Sequence, residues 1–199
     1  MKNIIKLFLL IIFFHGVSNG TTINGKSSLE DNNDNFYVVK LQINTDTGTD
    51  KMGGATIVIK YDTTQLFFPD YPVGGNDYKF HNFSSGTYST AIVTKVMGNT
   101  LWLNIELESD NQGYVVAGNG NWTDVATLYF TKRVQLPSEA LSWETGSGFW
   151  SIYNDDNSSN WVTGEFNNNP TGVENQVAAL PENFELLQNY PNPFNPSTT

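Results

Sequence analysis

Gly53-Gly54-Ala55-Thr56-Ile57-Val58-Ile59-Lys60-Tyr61-Asp62 is the stretch that decides the fold. Ala55, Ile57, Ile59 and Tyr61 occupy every second position, with Thr56, Val58 and Lys60 between them. Side chains that alternate in this way belong to a β-strand, whose successive Cβ atoms point to opposite faces. One face is apolar and suits a core; the other is mixed and suits solvent. The same period returns on either side. In Phe36 to Asn44, Val39, Leu41 and Ile43 oppose Val38, Lys40 and Gln42. Further on, Leu101, Leu103, Ile105 and Leu107 face away from Trp102, Asn104 and Glu106.

Shorter runs of the same character predict strands at Leu66–Phe68, Tyr78–Phe83, Thr87–Val96, Asp124–Lys132, Ala140–Glu144, Gly148–Tyr153 and Trp161–Phe166. Glycine, asparagine and aspartate punctuate them, as turns require. No segment has the 3.6-residue period of an amphipathic helix. About nine such strands in one chain predict an all-β fold, a two-sheet sandwich of jelly-roll or immunoglobulin-like type. No repeat of solenoid period interrupts the pattern, so residues 24–167 read as a single domain.

Composition narrows the chemistry. Of the 10 lysines and arginines, two lie in the first twenty residues, which leaves 8 against 20 acidic residues. A chain that acidic is a poor partner for nucleic acid, whose phosphates need clustered cations. The absence of cysteine excludes a disulfide framework, a thiolate metal site and a cysteine nucleophile. After the first twenty residues His81 is the only histidine, so a triad or a two-histidine metal site has little to build on. His81 sits in the alternating run Tyr78-Lys79-Phe80-His81-Asn82-Phe83 and reads as a strand-surface residue. The expectation is a protein without catalytic residues, metal or cofactor.

Both ends speak of export. Lys2 and Lys6 precede the apolar run Leu7 to Phe14, and small Ser18 and Gly20 follow at cleavage spacing. This is the layout of a secretory signal peptide over residues 1–20. Eight apolar residues make about 12 Å of helix, too short for a bilayer, and no later segment is longer. At the other end, residues 168–180 are polar and read as a linker. Leu187-Gln188-Asn189-Tyr190-Pro191-Asn192-Pro193-Phe194-Asn195-Pro196 then forces turns and extended backbone, since each proline moves its predecessor out of the helical region. Residues 181–199 resemble the opening of the C-terminal sorting domain on cargo of the type IX secretion system. The resemblance implies a secreted protein, carried through the periplasm to the outer surface or the medium by that machinery. Because the motif breaks off at Thr199, it also implies a piece of a longer protein.

A second resemblance lies in the body of the chain. Residues 53–62, followed by Leu66-Phe67-Phe68, resemble the early strand and Tyr-Asp turn of cohesin domains. Asp124-Val125-Ala126-Thr127-Leu128-Tyr129-Phe130-Thr131 resembles the penultimate stretch of that family. The similarity spans roughly Val38 to Phe166. It implies a nine-stranded sandwich that binds a protein, such as a calcium-loaded dockerin, on one sheet face. Thr56, Val58, Lys60, Trp102, Asn104 and Glu106 are the candidates for that face. Where cellulosomal cohesins often carry Asn and Asp, this chain has Gly54 and Thr56, so a partner other than a dockerin fits equally well.

The aromatic residues point elsewhere. Trp143, Phe149, Trp150, Tyr153 and Trp161 fall among asparagines and aspartates, and Trp122 follows Gly118-Asn119-Gly120-Asn121. Rings that lie against sugar faces, flanked by amides and carboxylates for the hydroxyls, make carbohydrate-binding modules. Trp122, Trp150 and Trp161 are the candidates for that role, against the alternative that such rings belong to the core. A structural surface or filament subunit is a further alternative. Two acidic loops, residues 31–35 and 155–160, cluster oxygen ligands suited to calcium, but neither has EF-hand spacing and solvated turns account for both.

Overall fold

A computed structural model describes residues 20–33, 35–84, 86–108, 112–135, 137, 139–145 and 151–168. Apart from Gly20 and Asn168, the signal-peptide segment, the linker and the sorting-domain resemblance lie outside those residues. Among them are twelve strands and no helix: β1 (Thr22–Asn32), β2 (Phe36–Thr45), β3 (Lys51–Tyr61), β4 (Leu66–Phe67), β5 (Tyr78–Phe80), β6 (Tyr88–Val96), β7 (Thr100–Leu107), β8 (Tyr114–Val115), β9 (Thr123–Lys132), β10 (Leu141–Trp143), β11 (Ile152–Asp155) and β12 (Val162–Asn167). They form two six-stranded sheets. The first runs β12-β1-β2-β9-β4, with β5 also on β9; the second runs β10-β3-β7-β6, with β11 and β8 also on β3. The expectation of an all-β sandwich holds.

The core is the sum of the alternating inner faces. Val39, Leu41 and Ile43 of β2, Ile57 and Ile59 of β3, Leu101 and Leu103 of β7, and Leu128 and Phe130 of β9 are all fully buried. Phe130 meets Tyr61 at 5.4 Å and Phe68 at 5.1 Å between ring centroids, so an aromatic contact joins the two sheets. All named strand pairings are antiparallel except one: β12 lies parallel to β1 and places the end of the domain beside its beginning.

Two strands, β1 and β8, go beyond the sequence expectation. β8 has two exposed residues and leaves no periodic trace. β1 is eleven residues long yet lacks a clear pattern, because its inner positions are Ile23, Gly25 and Ser27 and only the first is large and apolar. The small residues are complementary to what lies across from them. A Cβ on Gly25 would run into the ring of Phe166, and the buried Ser27 hydroxyl accepts the indole N–H of Trp143 at 2.9 Å. Trp143 and Phe166 in turn pack at 5.1 Å. The inner face of β1 is therefore a recess filled by aromatic rings from β10 and β12.

β6 forms an edge of the second sheet and carries a lysine on its inner face. Lys95 pairs with Leu101, and its ammonium donates to the Phe68 carbonyl at 2.9 Å and to Asp70 at 2.7 Å while lying over the rings of Phe67 and Tyr61. Burial opposes its charge, yet the bonds to Asp70 and Tyr61 win and hold its pKa above the usual lysine value. An inward charge on an edge strand discourages another strand from adding there.

Candidate functional site

The outer face of the second sheet gathers most of the residues expected for a partner-binding face. Residues directly opposed in register share a face, so Thr56↔Asn104, Val58↔Trp102 and Lys60↔Thr100 place β3 and β7 side by side. Thr56 and Asn104 are joined at 3.2 Å through their side chains. Glu106 lies opposite Gly54 and is exposed. Lys60 is exposed and paired with Glu144 at 3.1 Å. Trp102 and Asn104 are half-buried.

Val58 departs from expectation. Alternation alone would leave it in solvent, but it is buried. The reason lies at the open edge of β3, where β10 pairs with residues 59–61 and β11 with residues 52–56. Between those two strands the chain keeps β3 paired by other means. Val58 N–H donates to the Ser151 hydroxyl at 3.0 Å, and the Val58 carbonyl accepts from Glu144 N–H at 2.8 Å. With Trp102 on its other flank, Val58 is a packing residue under the face rather than part of it.

Strand order adds residues that sequence reading missed. Thr90, Ile92 and Thr94 of β6 stand opposite Glu106, Asn104 and Trp102, and Ile152 and Asn154 of β11 stand opposite Thr56 and Gly54. Ile92 and Ile152 are exposed at 42% and 45%. The short connection Met97-Gly98-Asn99 between two alternating runs is a hairpin signal by which the sequence could have placed β6 beside β7. β11 overlaps the end of the strand expected at Gly148–Tyr153, but nothing local places it beside β3. Gly54, lacking a side chain, lies in a shallow cavity of about 320 Å³ lined by Thr56, Thr90, Asn104, Glu106, Ile152 and Asn154. Hydroxyls, an amide pair, a carboxylate and two isoleucines equip this face for hydrogen bonding and apolar contact.

The aromatic candidates separate. Trp161 is buried, as are Trp143 and Tyr153, so Trp161 is a core residue and not a sugar platform. It follows Asn160 at the entry to β12, where its backbone N–H donates to the Tyr153 carbonyl and ties the strand inward. Trp150 and Phe149 lie outside the described residues. Trp122 is half-buried, at the mouth of a second cavity on the opposite sheet.

The acidic loops are occupied by their own backbone. Asn33 Oδ1 accepts from the N–H groups of Asn35 and Phe36, and Asp155 Oδ1 accepts from those of Asn157 and Ser159. Both are turn caps. Among the described residues no three His, Asp or Glu side chains converge to hold a metal. His81 Nε2 lies 2.9 Å from Thr127 Oγ1 on the outer face of the first sheet, and burial lowers its pKa. Nearby, Lys40 bridges Glu30 at 2.5 Å and Asp124 at 3.1 Å.

No family model and no curated protein matches the sequence. Solved structures do match. A chain of the crystal structure of a CaDoc0917–CaCohA2 complex at pH 5.5 is 13% identical, with the match covering 75% of this chain and 97% of that one at a TM-score of 0.52. The cohesin module from the Clostridium perfringens ATCC13124 family 33 glycoside hydrolase is 14% identical, with 71% and 97% covered and a TM-score of 0.42. At such identities the likeness is one of fold. The chain is an all-β sandwich of cohesin-like fold.

Proposed function

We propose that this chain is a non-catalytic binding module that recognises a protein partner on the outer face of its second sheet. The observation that carries the reading is the composition of that face. Thr56, Asn104 and Glu106 surround a shallow hollow with Thr90, Ile152 and Asn154, and Ile92 stands opposite Asn104 beside it. Exposed isoleucines interspersed with hydrogen-bonding side chains suit the mixed apolar and polar surface of a protein interface. Resemblance to cohesin modules supports the same reading by analogy, because the matching chain belongs to a complex of two proteins. The partner is a dockerin-like module or another protein of complementary surface. The protein is exported by its N-terminal signal and delivered by the type IX machinery, and it works at the cell surface or in the medium.

Capture of secreted proteins from the producing organism by the immobilised full chain tests this. Three forms are compared: wild type, Asn104→Arg on the proposed face and Thr131→Arg on the opposite sheet. A discrete partner held by wild type and Thr131→Arg but lost from Asn104→Arg supports the reading. Equal retention by all three refutes the face, and an empty eluate refutes the function. Elution with EDTA reports whether the partner needs calcium. N-terminal sequencing of the exported protein checks the signal peptide: a start near Thr21 is expected, and a retained Met1 would contradict it.

A further inference from the structure

A second cavity lies on the other sheet, away from the proposed protein-binding face. It measures about 580 Å³ and is lined by Thr22, Asn24 and Lys26 of β1, Asn44 of β2, Glu165 of β12, and Trp122. That volume falls within the range of small-molecule sites.

Its walls are set by backbone. Gly118-Asn119-Gly120-Asn121 is a tight turn with positive φ at both central residues, 54° and 84°, closed by Asn121 N–H on the Gly118 carbonyl at 3.1 Å. Such turns suit Asn-Gly. Trp122 follows at once, its ring covered on one side by the Lys26 ammonium at 4.5 Å from the centroid. Across the cavity, the parallel pairing of β12 with β1 brings Glu165 N–H onto Asn24 Oδ1 at 2.8 Å. Asn24 Nδ2 in turn donates to Asn44 Oδ1 at 3.1 Å. Asn44 Oδ1 thus accepts one bond and keeps a second lone pair, while its Nδ2 adds donor capacity. Any side chain at Gly164 would collide with Asn24 and Thr22, so glycine there keeps the wall flat.

The chemistry selects a ligand class. One lysine and one glutamate cancel, and the lysine is engaged with the indole, so nothing here favours phosphate or another anion. An aromatic ring beside amides, a hydroxyl and a carboxylate offers apolar contact to a ring face and donors and acceptors to its rim. We propose that this cavity binds a neutral sugar ring, as a glycan site separate from the protein-binding face and independent of it.

Isothermal titration of the full chain with cellohexaose, xylohexaose and mannohexaose tests the proposal, with polygalacturonate and inorganic phosphate as anionic probes. At least one neutral oligosaccharide is expected to bind. Trp122→Ala should weaken it by about tenfold or more, equivalent to roughly 1.4 kcal/mol. Glu165→Ala provides a variant that keeps the fold, since Glu165 holds Asn24 through its backbone and its side chain is exposed. It should weaken the same sugar measurably, while Asn104→Arg leaves it unchanged. No heat with any neutral probe, preference for an anionic one, or wild-type affinity in both Trp122→Ala and Glu165→Ala would overturn the proposal.

Discussion

Ser27→Ala is the most informative single substitution for stability. Ser27 is 1% exposed and Trp143 5%, and the bond between them spans 116 residues from the first sheet to the second. Removing the hydroxyl leaves the indole N–H buried without that acceptor, which costs about 1–3 kcal/mol. The sandwich spans 149 positions from Gly20 to Asn168, a size at which each kcal/mol moves Tm by about 2–4 °C. A loss near 2 kcal/mol therefore lowers Tm by about 4–8 °C. Thermal and urea unfolding, followed by circular dichroism, measure it. The background Trp143→Phe supplies the control, because without the indole N–H the Ser27→Ala step should cost less than about 0.5 kcal/mol. An equal cost in both backgrounds would refute the bond as the cause. So would a Tm shift below about 1 °C in the wild-type background.

Other perturbations have equally definite outcomes. Burial depresses the His81 pKa, so the folded chain takes up that proton at lower pH than the unfolded chain, whose value is about 6.5. Stability from this group is complete above that pH and declines as pH falls through it toward the folded value. Urea midpoints at about pH 7.5 and about pH 5.5 should therefore differ more for wild type than for His81→Gln, and identical differences would remove His81 from the account. Lys95→Met deprives the Phe68 carbonyl of its donor at a cost of about 1–3 kcal/mol. It also removes the charge guarding the β6 edge, so light scattering should show association rising with concentration; a strictly monomeric variant contradicts that role. Gly118→Ala drives a Cβ into the backbone of Gly48 and the Thr45 carbonyl, and should destabilise by about 1–3 kcal/mol in urea unfolding. A neutral result would mean that the two loops separate without cost.

Strand existence was largely legible in the sequence, because a half-buried strand prints a period of two on its own residues. Phe36 to Asn44, Ala55 to Tyr61 and Leu101 to Leu107 all read correctly for that reason. The face formed by Thr56, Trp102, Asn104 and Glu106 was legible too, since alternation assigns each residue a side. What failed was whatever depended on a neighbour. Val58 shows the outward pattern and is buried, because Glu144 and Ser151 close over the gap between β10 and β11. Trp161 resembles an exposed ring among asparagines and is a core residue.

The sequence by itself determined an all-β chain, acidic and without cysteine, whose alternating segments must bury one face against another sheet. That much follows from local chemistry, because periodicity, turn residues and charge act within a few positions of the chain. Only the tertiary structure decided that polar β1 is a strand, since Gly25 and Ser27 make sense only beside Phe166 and Trp143 from more than a hundred residues away. It alone brought Trp122, Asn24, Asn44 and Glu165 around one cavity, through the parallel pairing of the first and last strands. Pairings of that range leave no period in the sequence, because the residues that complete each other are neighbours only once the sheets have closed.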